Sequence, residues 1–288
     1  MGLIHIWTEV KSLAERLNEI GVEDPQVEAE VFLSYLLNVP RPQLAVPDTF
    51  DVSEEQLEQI VDFVAKRKKQ IPIQHVLGSW NFYGLEMSVN KHVLIPRPET
   101  EGLVQIISDW LQTQSKKDRI FGVDWGTGSG CISVTLSHLH QNVWLQALDI
   151  SEKALMIARA NAMTHGVVDR VQFIRSDGMQ NMERNQSIDF IVSNPPYIET
   201  GEILTLAPEV KDNDPMLALD GGESGLDCYR KIVSEIQQLS DWPRFMAFEI
   251  GSNQAQEVSQ LFKSLPQYEV EIQQDLLGRD RYLVAQLL

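Results

Sequence analysis

The chain has 288 residues, with 24 Lys and Arg against 41 Asp and Glu, a formal charge of −17. With 43% hydrophobic and 23% charged residues it is a globular chain, long enough for one large domain with or without a small companion. The acidity argues against wrapping nucleic acid, because neutralising phosphates takes Lys and Arg. Two cysteines, Cys131 and Cys228, exclude a disulfide framework and point to a reducing compartment. With six scattered histidines they make no tetrahedral zinc set, so no metal is expected. Residues 1–10 lack a basic cluster ahead of an apolar core, and no run approaches about 18 apolar residues. Neither a signal peptide nor a membrane span is expected, and the expected location is cytoplasmic.

Residues 1–75 read as a small helical bundle. Val10, Leu13, Leu17 and Ile20 recur at the spacing of one helix face. Asp24-Pro25 opens a second helix with proline in its first turn, and Val27, Ala29, Val31, Phe32, Tyr35 and Leu36 are its expected buried stripe. Residues 40–47 form a break. Ser53 starts a third helix with Ile60, Val61 and Val64 inward. Its end, Lys66, Arg67, Lys68 and Lys69, reads as a solvated basic terminus that suits the helix dipole. Residues 76–98, punctuated by Gly78, Gly84, Asn90, Pro96 and Pro98, have the composition of a hairpin linker. Residues 101–111 are helical again.

From Ile120 the pattern alternates strand and helix. Strands are expected at 120–123, 143–148, 171–174, 188–192 and 245–248, with a closing pair at 268–273 and 282–286. Helices are expected at 132–139, 151–163, 229–239 and 253–265. This alternation predicts an α/β fold, a doubly wound, mostly parallel seven-stranded sheet spanning 99–288.

Such sheets bind ligands beyond the carboxyl ends of their strands. The first candidate there is the turn Asp124-Trp125-Gly126-Thr127-Gly128-Ser129-Gly130. Its glycines let the backbone approach a ligand, and the next helix offers free N–H groups to an anion. No Gly-Lys-Ser/Thr follows, so it is not a Walker loop. The second is Asp149, at the end of the next strand, placed to accept hydrogen bonds from a ribose diol. Turn plus acid fits either a dinucleotide or S-adenosylmethionine. The third candidate, Asn194-Pro195-Pro196-Tyr197, separates the two. Its prolines stiffen the backbone and leave carbonyls free to accept. Asn194 adds an amide oxygen, and Tyr197 adds a flat face. The set suits a planar NH₂ group, for which hydride transfer has no use.

Asn-Pro-Pro-Tyr after such a strand resembles S-adenosylmethionine-dependent methyltransferases that modify planar nitrogens. Leu94-Ile95-Pro96-Arg97-Pro98-Glu99-Thr100-Glu101, Asp149-Ile150-Ser151, residues 193–198, 214–226 and 275–281 narrow the resemblance to the release factor glutamine methyltransferase family. It covers almost the whole chain. It implies a Rossmann-like class I methyltransferase fold with S-adenosylmethionine as cofactor. The implied substrate is the glutamine of the Gly-Gly-Gln motif in peptide chain release factors, methylated on its amide nitrogen.

In that frame Asn194 Oδ1 and the Pro195 carbonyl accept the two N–H bonds of the substrate, and Tyr197 packs on its amide plane. Residues 126–130 hold the methionine part, with Asp124 near its ammonium group. Asp149 and Ile150 serve the ribose, and Asp177 and Gly178 the adenine. Residues 1–75 recognise the release factor, and neither nucleic acid nor membrane is a direct partner. Trp125, Gly178, Asp214 and His75 depart from the usual family residues; many members have an aromatic at the Gly178 position. The rivals are a glutamine methyltransferase of a ribosomal protein, a DNA adenine-N6 methyltransferase, and a non-catalytic binding protein.

Overall fold

The computed structural model of the chain describes residues 2–45, 49–114, 117–183 and 187–288. The described residues form two compact units, one of residues 1–78 with 207–213, the other of 79–206 with 214–288. Residues 46 and 47 of the expected break lie outside the described residues; 41–45 form a single 3₁₀ turn. No helix among the described residues is long and apolar enough to cross a membrane.

The smaller unit contains β1 (Gly2–His5), α1 (Ile6–Glu19), α2 (Pro25–Leu37), β2 (Thr49–Val52), α3 (Glu54–Lys68) and α4 (Ile73–Leu77), with β1 and β2 antiparallel. Proline opens α2 at its first turn. Ser53 and Gln56 cap α3 reciprocally, each side chain bonding the other's backbone N–H. The core joins Val10, Leu13 and Leu17 of α1 to Ala29, Phe32 and Leu33 of α2 and Ile60 and Phe63 of α3. Phe32 and Phe63 stack with centroids 3.9 Å apart.

Two expectations are corrected here. Val27, Tyr35 and Val61 are exposed, and Leu33 and Phe63 take the inward positions. Val10, Leu13 and Leu17 of α1, Ala29 and Phe32 of α2 and Ile60 of α3 are inward as expected, and the buried stripes of α2 and α3 extend to Leu33 and Phe63, where Phe63 stacks on Phe32. Arg67 is not solvated but 1% exposed. Its guanidinium holds Glu28 bidentately at 2.6 and 2.9 Å, Glu209 at 2.6 Å and the Ile71 carbonyl at 2.6 Å. Glu209 lies in a short helix, Pro208–Lys211, that the chain contributes to this unit from far along the sequence.

The larger unit begins with the hairpin β3 (Ser79–Phe82) and β4 (Leu85–Ser88), followed by α5 (Pro98–Thr113). Then come β5 (Ile120–Trp125), α6 (Cys131–Leu139), β6 (Val143–Asp149), α7 (Glu152–Thr164), β7 (Val171–Arg175) and β8 (Phe190–Ser193). The remainder is α8 (Asp227–Ile236), β9 (Phe245–Glu249), α9 (Ala255–Phe262), β10 (Tyr268–Gln274) and β11 (Asp280–Leu287). Seven strands pair in the order β10-β11-β9-β8-β5-β6-β7. The pairings from β9 through β7 are parallel, and β11 is antiparallel to both neighbours.

The strands are buried on both faces, as parallel sheets require. Ile120, Phe190, Val192 and Ala247 face α5, α6 and α7 in one core. Val123, Ile191, Met246 and Phe248 face α8 and α9 in the other. The hairpin, expected as a linker, counts with this unit: Asn161 of α7 bonds both the N–H and the carbonyl of Ser88, at 2.8 and 3.1 Å.

Replacing Arg67 with Ala leaves the Glu28 carboxylate half-buried without its cation. The expected loss is about 3–5 kcal/mol, the range for breaking a buried pair. Arg67→Lys recovers little of it, because an ammonium cannot form the bidentate fork. Urea denaturation of the three proteins measures both effects.

Candidate active site

Two loops meet where β5 has β6 on one side and β8 on the other, the reversal of strand order at which open sheets bind ligands. After β5 the turn at 126–130 places Gly126, Gly128 and Gly130 at φ of 73°, 56° and 78°, where side-chain-bearing residues are strained. A Cβ added at Gly126 or Gly128 meets nothing within 4 Å, so the space above them is open. Asp149, at the end of β6, closes the turn from the side. Its Oδ2 accepts from Gly128 N at 2.9 Å and its Oδ1 from Ser151 N at 2.8 Å. Burial raises its pKa above the ordinary carboxylate value.

Asp124 lies beneath the turn and is fully buried. Its Oδ2 accepts from Thr127 Oγ1 at 2.6 Å and from Ser133 Oγ. Its Oδ1 is buried without a partner among the described residues. Burial lifts this carboxyl to about 6. Cys131, just after the turn, is pushed to about 12 by burial, so it is a packing thiol and not a thiolate.

After β8, Ser193 Oγ donates to the Trp125 carbonyl and ties the two loops together. Asn194 Nδ2 donates to Thr100 Oγ1 at 3.0 Å, and Thr100 Oγ1 donates to Glu249 Oε2 at 2.7 Å. Thr100 and Glu249 are 2% and 1% exposed. Burial raises Glu249 to about 7, against the opposing pull of Thr100 and Arg281. The Tyr197 hydroxyl lies 3.5 Å from Glu249 Oε1, and Gln254 Nε2 donates to the Tyr197 carbonyl at 2.9 Å. Residues 220–225 pack against this loop; a Cβ on Gly221 would stand 2.9 Å from the Pro196 carbonyl, so the approach needs glycine.

A cavity of about 380 Å³ opens between the loops. Of the expected site residues, Gly126, Thr127, Gly128, Ser129, Asp149, Ile150, Asp177, Gly178, Asn194 and Pro196 line it. Asp124, Gly130, Pro195 and Tyr197 adjoin lining residues in the chain and are not themselves part of the lining. Tyr197 packs against the core between the sheet and α8, so the expected flat face over a substrate is largely covered. Arg97 also lines the cavity and holds Asp214 Oδ2 at 2.6 Å. Asp177 is ion-paired with Lys231 of α8.

Thr100 was present in the Pro-Arg-Pro-Glu-Thr-Glu stretch but carried no role in sequence. Glu235 carried no sequence signal beyond the oddity of its neighbours. Its Oε2 accepts from Trp125 Nε1 at 3.0 Å, and its Oε1 would lie 2.1 Å from a Cβ on Gly178. The departures at positions 125 and 178 are thus one feature: the Trp125–Glu235 pair fills the volume a side chain at 178 would need. Among the described residues no cluster of His, Cys, Asp and Glu is gathered as a metal site.

Two family models match parts of the chain. Residues 10–78 match the family model "PrmC N-terminal domain", and residues 104–213 match "Methyltransferase small domain". A release factor glutamine methyltransferase of Bacillus cereus is 34% identical over 286 residues, covering 99% of this chain and 100% of the relative. One from Caulobacter vibrioides is 33% identical over 99% of this chain and 96% of its own. A bifunctional methyltransferase of Rickettsia typhi is 34% identical over 93% of this chain and 55% of its own length. Among solved structures, the N-terminal domain of human METTL16 in complex with SAH superposes with a TM-score of 0.54 at 15% identity, over 84% of this chain and 86% of that one. That likeness is one of fold.

The shared volume at Gly178 predicts a coupled pair. Gly178→Ala combines left-handed strain with overlap and costs about 1–3 kcal/mol. With Glu235→Ala in the same chain the overlap disappears and the strain remains. Thermal denaturation of the double-mutant cycle should show the pair less destabilised than the sum; strict additivity would mean the two sites do not share that volume.

Proposed function

We propose a function from one premise: the chain belongs to the release factor glutamine methyltransferase family. It methylates the side-chain amide nitrogen of the glutamine in the Gly-Gly-Gln motif of peptide chain release factors, with S-adenosylmethionine as donor, in the cytoplasm. The observation that carries this is Asn194 on the wall of the cavity, its NH₂ end already bonded to Thr100 and its oxygen end left to accept.

The residues present fit the cofactor. The open space over Gly126 and Gly128 admits backbone approach. The orphaned Oδ1 of buried Asp124 is an acceptor suited to an ammonium group. Asp149 has lone pairs remaining for a ribose diol, and Ile150 lies beside it on the cavity wall. Asp177 and Gly178 border the adenine side. S-adenosylmethionine, when bound, supplies an electrophilic methyl group.

The chain's task is to make a carboxamide nitrogen nucleophilic, although its lone pair is delocalised. Asn194 Oδ1 and the Pro195 carbonyl accept its two N–H bonds and hold its orientation. The stiff Pro195-Pro196 pair keeps those acceptors in place at no cost in reorganisation. Tyr197 supports the loop from behind through its carbonyl and hydroxyl.

The −17 charge disfavours duplex DNA as the source of the NH₂ group. Among the described residues the smaller unit contributes none to the cavity lining, and it is the natural reader of the protein substrate. Leu57 and Val61, one turn apart and exposed on α3, offer apolar surface for it.

Labelled methyl transfer to a release factor, a ribosomal protein and DNA, offered side by side, tests the assignment; the release factor alone should be modified. Asn194→Ala should abolish transfer and leave cofactor affinity within a few-fold, and wild-type turnover in that variant would sink the site assignment. Leu57→Asp with Val61→Asp should raise KM for the whole release factor and leave KM for a Gly-Gly-Gln peptide unchanged.

A further inference from the structure

Glu249 does not itself line the cavity, yet it is a fully buried carboxylate at the end of a strand and is bonded to Thr100, which does line it. Its Oε2 takes the only hydroxyl proton Thr100 has, at 2.7 Å. Thr100 Oγ1 can then offer Asn194 nothing but a lone pair. The amide of Asn194 meets it with Nδ2, at 3.0 Å. We propose that Glu249 is a positioning residue: acting through Thr100, it sets which end of the Asn194 carboxamide faces the substrate. This rests on the reading that Asn194 receives the substrate amide.

An amide has two ends of similar size and opposite hydrogen-bonding character. Packing alone does not distinguish them. With the NH₂ end turned toward the cavity, Asn194 would present donors to a substrate that itself presents donors. The chain of two hydrogen bonds removes that ambiguity, because an ionised carboxylate only accepts. A protonated Glu249 reverses the direction: it donates to Thr100, the Thr100 hydrogen turns to Asn194, and the amide oxygen is drawn away from the cavity.

The groups around Glu249 fit a carboxylate kept close to its protonation point. Arg281 of β11 favours the charge, and Glu99 of α5 opposes it. The Tyr197 hydroxyl faces Oε1 at 3.5 Å. Tyr229 of α8 donates to the Glu249 carbonyl at 2.7 Å and holds the strand end. Tyr282 of β11 and Cys131 of α6 are neutral neighbours whose own ionisation Glu249 suppresses. Burial outweighs these and brings the carboxyl to about 7, so orientation of Asn194 is lost as pH falls through that value.

The test measures kcat and kcat/KM for a release factor between about pH 5.5 and 9, in the wild type and in Asn194→Ala, Thr100→Val, Thr100→Ser and Glu249→Gln. Calorimetric binding of S-adenosylhomocysteine reports an intact fold for each. In the wild type kcat/KM should fall on the acidic side of about pH 7. Glu249→Gln should remove that limb. Thr100→Val should lower kcat at least about tenfold, one hydrogen bond's worth, with S-adenosylhomocysteine affinity within about threefold. Thr100→Ser should restore it. An acidic limb that persists in Glu249→Gln, or wild-type kcat in Thr100→Val, overturns the proposal. If Thr100→Val does not fold, the Glu249→Gln profile decides. An inactive Asn194→Ala beside indifferent Thr100 and Glu249 variants refutes the relay alone; an active Asn194→Ala refutes the site reading and the relay together.

Discussion

The structure depends on one pairing pattern: β5 carries parallel neighbours on both sides, β6 reached directly through α6 and β8 reached after β7. Parallel pairing brings the carboxyl ends of all these strands to the same edge. Two backbone N–H groups of the turn, Gly126 and Thr127, bond the Leu148 carbonyl of β6, and Ser193 of β8 bonds the carbonyl of Trp125. The glycine turn, Asp149 and Asn194 therefore meet because the sheet ends there, although they lie up to 68 residues apart in sequence. Both faces of these strands are filled, so polar groups gather at the strand ends, where they do not break a core.

That edge is costly to maintain. Asp124 and Glu249 are completely buried, and burial raises both, to about 6 and about 7. A carboxyl whose folded value lies above its unfolded one adds stability while protonated. The contribution is complete below the unfolded values, near 3.8 and 4.5, and is lost as pH rises through 6 and 7. At neutral pH the fold therefore carries two strained acceptors. The rest of the unit offsets them with dense apolar burial on both sides of the sheet.

The alternation of strand and helix from Ile120 onward was readable because each element follows one simple period, and the polar residues at strand ends stood out against apolar runs. In the smaller unit the helices and the inward face of α1 were readable, but the β1–β2 pair and the full inward sets of α2 and α3 were not. Val61 and Phe63 are two residues apart on α3, and only the stacking of Phe63 on Phe32 decides which of them turns inward. Arg67 shows the same limit more sharply. In sequence it is one cation in a basic run, and its partner Glu209 lies 142 residues away. Thr100 belonged to a conspicuous stretch, yet its use appears only when α5 is set beside β8 and β9. Long-range polar pairs leave no periodic trace, and the relay through Thr100 is made entirely of them.

The exchange at Trp125 and Gly178 carries this further. Taken separately, Gly178 looks like the loss of a cofactor contact and Trp125 like an unrelated gain of bulk. Taken together with Glu235 they are a substitution of one packing solution for another. Indole nitrogen needs an acceptor when it is enclosed, and Glu235 supplies it. The carboxylate then occupies the space beside Gly178, whose φ of 75° already excludes most side chains. The cavity wall at Gly178 is consequently backbone, with the Trp125–Glu235 hydrogen bond behind it. Asp177 next to it is ion-paired with Lys231. Two residues that look like exceptions in the linear sequence thus form one local structure with a third, Glu235, that does not stand out there.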